Sequence, residues 1–213
     1  ELSQKNVSAM TEAKKLAEMD RAQEEFNANW PIMNSQIIKE LAGSVFNTIG
    51  SFPIILTYRT KAQGGQGELS PIEYTTFMVS ALHSGYHFAA VDVEYTLASE
   101  LRDKIIVAAH ETNTPVILSY HDFNETRAVD QFITDMSRTG ADIIKLAVMP
   151  KTVADVQLLL DATQEASVQQ PLITISMGLI GQQSRVVGYR YGSEMTFATL
   201  DNQQTSAPGQ LTI

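Results

Sequence analysis

Six short apolar segments recur along the chain, and their spacing constrains the fold more than any other feature. They begin 24 to 35 residues apart, at 53–58, 88–95, 115–120, 142–149, 171–177 and 195–200. Each is a continuous run of branched and aromatic residues, as is typical of strands covered on both faces of a parallel sheet. The interval matches one strand–helix unit. The sequence therefore predicts parallel strands joined by helices.

Helical signals occur before and between these segments. Residues 8–19 and 36–49 carry apolar side chains at helical spacing. Ser70-Pro71-Ile72-Glu73 combines an N-cap serine, a proline in the first turn and a capping-box glutamate, and Thr152 with Asp155 forms a second box. Because no linker or low-complexity tract divides the chain, we predict a single domain over residues 1–213.

Two architectures fit this alternation: an open doubly wound sheet and a closed barrel. Polar side chains at the ends of several strands, among them Arg59, Glu94 and His121, favour the barrel, because barrel enzymes carry their chemistry there. The glycines at 64–67 do not form a dinucleotide fingerprint, and the sequence contains no GxxxxGK[ST] loop. We predict a (β/α)8 barrel of the TIM type with six readable strands. Since a barrel without two strands would expose unpaired edges, we expect the chain to be incomplete at the first two strands and the last helix of the barrel rather than to form a barrel of six strands.

Composition narrows the classes of partner. The net charge of −9 argues against nucleic acid and against an anionic membrane surface, and no apolar stretch approaches 18 residues. The absence of cysteine excludes disulfides, thiolate metal sites and a cysteine nucleophile, and it fits a reducing compartment. We therefore expect a cytoplasmic protein without membrane contact. The oligomeric state is left open, with a homodimer as the assembly to test.

Lys145 is the most informative single residue. It lies within the apolar segment DIIKLAVM, and lysine is rarely buried unless it has a function or a partner. Burial disfavours the ammonium form, so a neutral amine there could attack a carbonyl group. The alternative is a lysine that extends to the surface or pairs with an acid such as Glu94.

The histidines differ in how strongly the sequence supports a catalytic or metal-binding role. His121 follows the segment VILSY and could transfer protons near neutral pH, although a structural histidine bonded to a carbonyl is the alternative. His83 and His87 are four residues apart, but the fuller HExxH pattern is missing, so we predict no metal site.

Two arginines are candidate anion binders. Arg59 ends a strand, and Arg185 follows Ser176-Met177. The planar guanidinium binds a carboxylate or phosphate through two hydrogen bonds. The alternative for each is a surface ion pair, which contributes about 0–1 kcal/mol.

Five motifs together resemble one family, the type I 3-dehydroquinate dehydratases. They are LTYRTKAQGG (56–65), VILSYHDFNET (116–126), ADIIKLAVMP (141–150), ITISMGLIGQQSR (173–185) and SAPGQLTI (206–213). The resemblance covers about residues 53–213 with the motifs in the family's order. It implies a (β/α)8 barrel that removes water from 3-dehydroquinate, a carboxylate substrate of the shikimate pathway, through a lysine Schiff base and without metal or cofactor.

The resemblance also implies roles for individual residues. Lys145 matches the Schiff-base lysine and His121 the proton-transfer histidine. Arg185 matches the arginine that binds the substrate carboxylate, and Arg59 matches a second substrate-binding arginine. Two residues of the C-terminal lid loop, Ser206 and Gln210, match side chains that contact the substrate.

The sequence also departs from the family pattern. Family members carry an acid–aromatic–arginine motif early in the barrel, whereas this chain has Met19-Asp20-Arg21 directly after a predicted helix. Arg21 is the candidate match for that arginine, with Met19 at the acid's position. Gln63 stands where many members have glutamate, and Gly178-Leu179 replaces a polar–basic pair.

Two other functions are compatible with the sequence. A class I aldolase or transaldolase-like barrel also uses a strand lysine, but no phosphate loop is evident and the two arginines suit a carboxylate better. An inactive barrel that serves as a binding module would explain the altered N-terminal region. The joint presence of Lys145, His121, Arg59, Arg185 and Gln210 opposes that interpretation.

Overall fold

A computed structural model describes residues 35–49, 52–199 and 207–212. Its strands are β1 (Ile55–Thr57), β2 (Ala90–Glu94), β3 (Val116–Asp122), β4 (Ile143–Val148), β5 (Leu172–Ser176), β6 (Ala198–Thr199) and β7 (Leu211–Thr212). The helices are α1 (Ser35–Ile49), α2 (Pro71–Leu82), α3 (Ser99–Glu111), α4 (Val129–Ser137), α5 (Val153–Ala166) and α6 (Gly178–Val187). Short 3₁₀ turns cover Lys61–Gln63 and Gly188–Tyr191.

Strands β1 to β5 form a parallel sheet whose spatial order follows the chain. One helix follows each of these strands before the next begins. An open nucleotide-binding sheet reverses its strand order at the ligand crevice, whereas a β/α barrel adds strands in sequence. The consecutive order therefore confirms the prediction of a barrel-type fold over a doubly wound one.

Both faces of the sheet are buried, as the continuous apolar runs predicted. One face packs beneath the helices and carries Val91, Val93, Leu118 and Leu146, all fully buried. The opposite face forms a second apolar cluster with Ala90, Ile117, Ala147, Ile173 and Ile175. A side chain in a strand must therefore enter either the helix layer or the barrel interior.

The predicted capping boxes set the start of two helices. The Ser70 hydroxyl accepts a hydrogen bond from the Glu73 backbone N–H at 3.4 Å, and the Glu73 carboxylate accepts one from the Ser70 N–H at 2.9 Å. The same reciprocal pair joins Thr152 and Asp155 at α5. These bonds satisfy backbone donors that a helix leaves unpaired in its first turn.

The sixth predicted strand differs from its expected form. Instead of a run over 195–200, only Ala198–Thr199 is a strand, and its described partner is β7 rather than β5. The edge of β5 is bridged by Ser193, and the Glu194 N–H donates to the Leu172 carbonyl at 2.7 Å.

The predicted helix at 8–19 lies outside the described residues. Among the helices that are described, none combines the length and hydropathy needed to cross a bilayer.

Candidate active site

A cavity of about 370 Å³ lies at the carboxyl ends of the strands. It is bounded by strands β1, β3, β4 and β5, by the loop after β1 and by the segment around β6 and β7. Its walls include Arg59, His121, Lys145, Arg185, Phe197 and Gln210. Five residues that the sequence predicted as candidates therefore meet in one place.

Lys145 extends from β4 into this cavity rather than toward the helices. Only 5% of the residue is exposed. Its Nζ donates to Oδ2 of Asp92 on β2 at 3.0 Å and lies 4.1 Å from the centroid of the Phe197 ring. Lys145 therefore pairs with an acid, as the alternative predicted. That acid is Asp92, which lies two residues before Glu94 on β2.

Asp92 connects the lysine to a larger polar network. Its second oxygen, Oδ1, accepts hydrogen bonds from the Ser119 hydroxyl at 2.6 Å and from Nη2 of Arg59 at 2.7 Å. Burial alone would raise the pKa of Asp92, but the charges of Arg59 and Lys145 outweigh it and hold that pKa well below its ordinary value. Asp92 is therefore an anion throughout the physiological range and cannot act as a base there.

Arg59 occupies a buried ion-pair network, not the surface pair considered as the alternative. Its Nη1 donates to the Ser119 hydroxyl at 2.8 Å and to Oε1 of Glu94 at 3.3 Å. Burial opposes its charge, yet Asp92 and Glu94 raise the pKa of Arg59 above its ordinary value. Glu94 is itself fixed by Thr60, whose N–H and hydroxyl donate to its two oxygens at 2.8 and 2.6 Å.

His121 faces the same cavity from the end of β3. The pKa of its imidazole falls to about 3, because burial disfavours the charged ring and the cations Arg59 and Lys145 repel it. The ring is therefore neutral near pH 7, with a free electron pair. Its Nδ1 is buried and makes no hydrogen bond to any described residue.

The loop after β1 holds His121 from one side. The Gln63 Oε1 accepts a hydrogen bond from the His121 backbone N–H at 2.8 Å, and Gln63 is 5% exposed. Gly64 adopts φ +85°, and a Cβ atom there would overlap the ring of Phe123. That ring stacks beside His121 with centroids 6.2 Å apart. This loop and Phe123 together form one wall of the cavity.

Arg185 approaches the cavity from α6. Its Nη1 donates to the Phe197 carbonyl and its Nη2 to the Pro208 carbonyl, each at 3.3 Å. These two carbonyl groups orient the Arg185 guanidinium, whereas carboxylates orient that of Arg59. The Pro208 carbonyl also accepts a hydrogen bond from the Gly178 N–H at 3.0 Å. This bond attaches the 207–212 segment, which contains Gln210, to the start of α6.

The other residues named in the sequence analysis fall into two sets. Ser206 and Arg21 lie outside the described residues. His83 is exposed and lies 3.5 Å from Glu111, and His87 is also exposed. Within the part of the chain that the structure describes, no three His, Asp or Glu side chains are arranged to hold a metal ion.

Three contributors escaped prediction: Asp92, Ser119 and Phe197. Asp92 and Ser119 stand inside the apolar runs AVDVE and VILSY, as Lys145 stands inside IIKLAV. The argument that singled out the buried lysine therefore applies equally to them. Phe197 gave no such signal, because an aromatic residue in an apolar segment is ordinary.

The fold and the cavity define the class: a β/α-barrel enzyme with a small-molecule site at the carboxyl ends of its strands. The sequence model of the type I 3-dehydroquinase family matches residues 5–213. A 3-dehydroquinate dehydratase of Lactiplantibacillus plantarum is 38% identical over 187 residues, which is 85% of this chain and 73% of that protein. The chain belongs to the type I 3-dehydroquinase family.

Solved structures agree with this assignment. The type I 3-dehydroquinate dehydratase of Clostridium difficile, determined with covalently modified comenic acid, superimposes with a TM-score of 0.76 at 34% identity, covering 84% of this chain and 71% of that one. The 3-dehydroquinate dehydratase of Geobacillus kaustophilus gives the same TM-score and identity, covering 84% of this chain and 70% of that chain.

Proposed function

We propose that this protein is a hydro-lyase that converts 3-dehydroquinate to 3-dehydroshikimate through an imine on Lys145. The observation that carries the proposal is a lysine only 5% exposed in a cavity that a neutral histidine and an arginine also face. Family membership supplies the substrate and the overall reaction. The contacts around the cavity supply the roles of the residues.

Lys145 acts as the nucleophile in its neutral form. The amine nitrogen adds to the ketone carbon, and the former carbonyl oxygen leaves as water after it is protonated. The product is an imine, which carries a positive charge when protonated. Asp92, 3.0 Å from Nζ, orients the nitrogen and balances that charge.

His121 acts as the acid–base group. The protonated imine withdraws electrons, so the neighbouring C–H becomes acidic and His121 can accept its proton to give an enamine. The returning electron pair expels the hydroxyl on the next carbon, which leaves as water with the proton that His121 carries. Hydrolysis of the new imine then releases the unsaturated ketone and regenerates Lys145. The net change is the loss of one water from the substrate.

Arg185 binds the substrate carboxylate, with Ser206 and Gln210 closing from the 201–210 segment. The Phe197 and Pro208 carbonyls orient the guanidinium at the cavity wall, where its planar donors can meet a carboxylate. Arg59 contributes positive charge at the opposite wall, although Asp92 and Glu94 already balance most of it. Arg21 is retained as a further candidate for substrate contact.

The proposal extends to the setting of the enzyme. We propose a cytoplasmic homodimer, in keeping with a chain that has no cysteine to oxidise. Sedimentation of the purified full chain tests the assembly.

A trapping experiment tests the reaction. Purified protein is mixed with 3-dehydroquinate, product formation is followed by the ultraviolet absorbance of the enone, and borohydride is then added. We expect turnover and a reduced adduct that peptide mass spectrometry locates on Lys145. An adduct that forms only with sugar phosphates would indicate an aldolase instead. The absence of any adduct would indicate a binding module.

Replacing the lysine sharpens that test. We expect Lys145→Ala and the better-filling Lys145→Met to lose turnover and adduct together, because the covalent centre is gone. The fold should persist, since Asp92 keeps Arg59 and Ser119 as partners. Lys151→Ala, at a lysine whose side chain is 65% exposed, is the matched control and should retain both. Dehydration by a folded Lys145→Ala protein would contradict the mechanism.

A further inference from the structure

One contact of the lysine has no part in the mechanism above. Nζ of Lys145 lies over the face of the Phe197 ring, 4.1 Å from its centroid. Cations are attracted to an aromatic face within about 6 Å, because the ring quadrupole places negative charge there. At this distance, and with only 5% of Lys145 exposed, little water screens the attraction.

The surroundings of the nitrogen make the ring its second electrostatic partner. Asp92 on β2 lies on one side. On the other, the neighbouring strand β5 presents Ile173 and Ile175, which are apolar. No described carboxylate other than Asp92 forms an ion pair with Nζ. The ring therefore covers the nitrogen on a side where the described residues offer it no second carboxylate.

The backbone around Phe197 is held at several points that do not depend on its ring. Its carbonyl accepts the hydrogen bond from Arg185, and the next residue, Ala198, pairs with Leu211. On the other side, Ser193 bridges to Leu172. A change of side chain at 197 can therefore alter the ring while leaving the course of the chain and the direction of Arg185 intact.

We propose that Phe197 is a catalytic residue whose ring face stabilises positive charge on Nζ of Lys145, in the ammonium and again in the protonated imine. The inference rests on the proposed function, since it requires the imine. The ring stabilises both cations but gains little from the neutral amine. It therefore favours the protonated imine over the free neutral amine.

This preference predicts a lower rate for Phe197→Leu, which removes the ring and keeps an apolar side chain. Where the amine is already neutral, kcat/KM should fall by about 3- to 30-fold, the range expected for a desolvated cation over a ring. The charged groups that face Nζ or share its cavity, namely Asp92, Arg59, His121 and Arg185, are unchanged in this variant. KM should change less than kcat, because the backbone carbonyl that orients Arg185 remains.

Ring electronics provide the decisive test. Phe197 is replaced by phenylalanines with one, two and three fluorines, which weaken the quadrupole while the shape stays nearly constant. At a pH high enough that the amine is neutral, we expect log kcat/KM and the fraction of borohydride-trapped adduct to fall steadily with fluorination, and Phe197→Tyr to retain most of the activity. The same fluorinated series at Phe132, which stacks on Tyr120 in the helix layer at 4.3 Å, is the control and should show no trend.

The outcomes separate this inference from the reaction itself. A flat fluorination series at Phe197 in an enzyme that still forms the Lys145 adduct would overturn the role of the ring and leave the proposed function intact. Failure of the unmodified protein to form any adduct would overturn both.

Discussion

At the scale of single residues, the burial of the His121 ring affects both the function and the stability of the protein. The environment that lowers the pKa of its ring to about 3 keeps the imidazole neutral, and a neutral imidazole is the form that accepts a proton. The same environment makes protonation unfavourable in the folded state only.

Replacement of His121 should therefore affect rate and pH-dependent stability together. We expect His121→Ala to reduce kcat by about 10²–10⁴, the usual range for loss of an acid–base group. The folded-state pKa of about 3 lies below the unfolded value of 6.5, so the unfolded chain binds the extra proton first as the pH falls. The native protein should lose on the order of 1–3 kcal/mol between pH 6.5 and 4, and His121→Ala should lose less.

Urea unfolding of both proteins at pH 7 and pH 4.5 measures this difference. His110→Ala is a suitable control, because that histidine is about half exposed and pairs with Asp142 at the surface. An unchanged pH dependence in His121→Ala would mean that the ring is more accessible to solvent than its burial indicates. Near-normal turnover would remove it from the reaction.

At the scale of elements, the loop after β1 depends on a glycine that touches the site wall. Gly64 has φ +85°, and an added Cβ would meet the Phe123 ring. Gly140 has φ +83° with open space around it. An alanine would therefore be strained at either position, but only at Gly64 would its Cβ also collide with a neighbouring side chain.

A pair of alanine variants separates these effects. Gly140→Ala should cost about 1–2 kcal/mol of stability from strain alone and leave kcat/KM unchanged. Gly64→Ala should cost more and also lower kcat/KM, because displaced Phe123 and Gln63 no longer hold His121. Thermal unfolding and steady-state kinetics of both variants give the answer. Equal losses of stability with normal kinetics in both would show that the loop does not position the histidine.

The elements also show what the sequence could and could not predict. Apolar runs placed five strands and the capping boxes placed two helix starts, because burial on both faces and reciprocal capping are local patterns. Among the described residues of the strand predicted at 195–200, the structure has a strand at Ala198–Thr199. Its pairing with Leu211–Thr212 is not a local pattern, so the sequence could not predict its bounds. Asp92 was missed for the related reason that its partners come from three other segments of the chain.

At the scale of the whole molecule, helix α6 and the last described segment of the chain meet at Arg185. The guanidinium donates to Pro208, whose carbonyl also accepts from Gly178, so helix α6 and the 207–212 segment share one junction. The 201–210 segment was predicted to be a lid over the cavity.

Binding should therefore be coupled to this segment. We expect Arg185→Ala to raise KM strongly and to weaken amide protection over 207–212, with Arg190→Ala, exposed on the adjoining turn, as the control. Hydrogen exchange with and without product measures the coupling: native protein should gain protection across 201–210 when product binds, and Arg185→Ala should gain less. Equal protection in both states of protein that demonstrably binds product would mean that the segment is not a lid.

The hydrogen-bond partners of Asp92 also limit which substitutions this site can accept during evolution. Its two oxygens serve a lysine, an arginine and a serine contributed by separate strands or strand ends. Replacement of Asp92 would leave the buried Lys145 without the described carboxylate that pairs with it, and an unpaired buried charge is strongly unfavourable. Viable sequences with a different cluster are thus separated from this one by several simultaneous changes. Substitutions can accumulate in the helices around the cavity while the cluster around Asp92 stays unchanged.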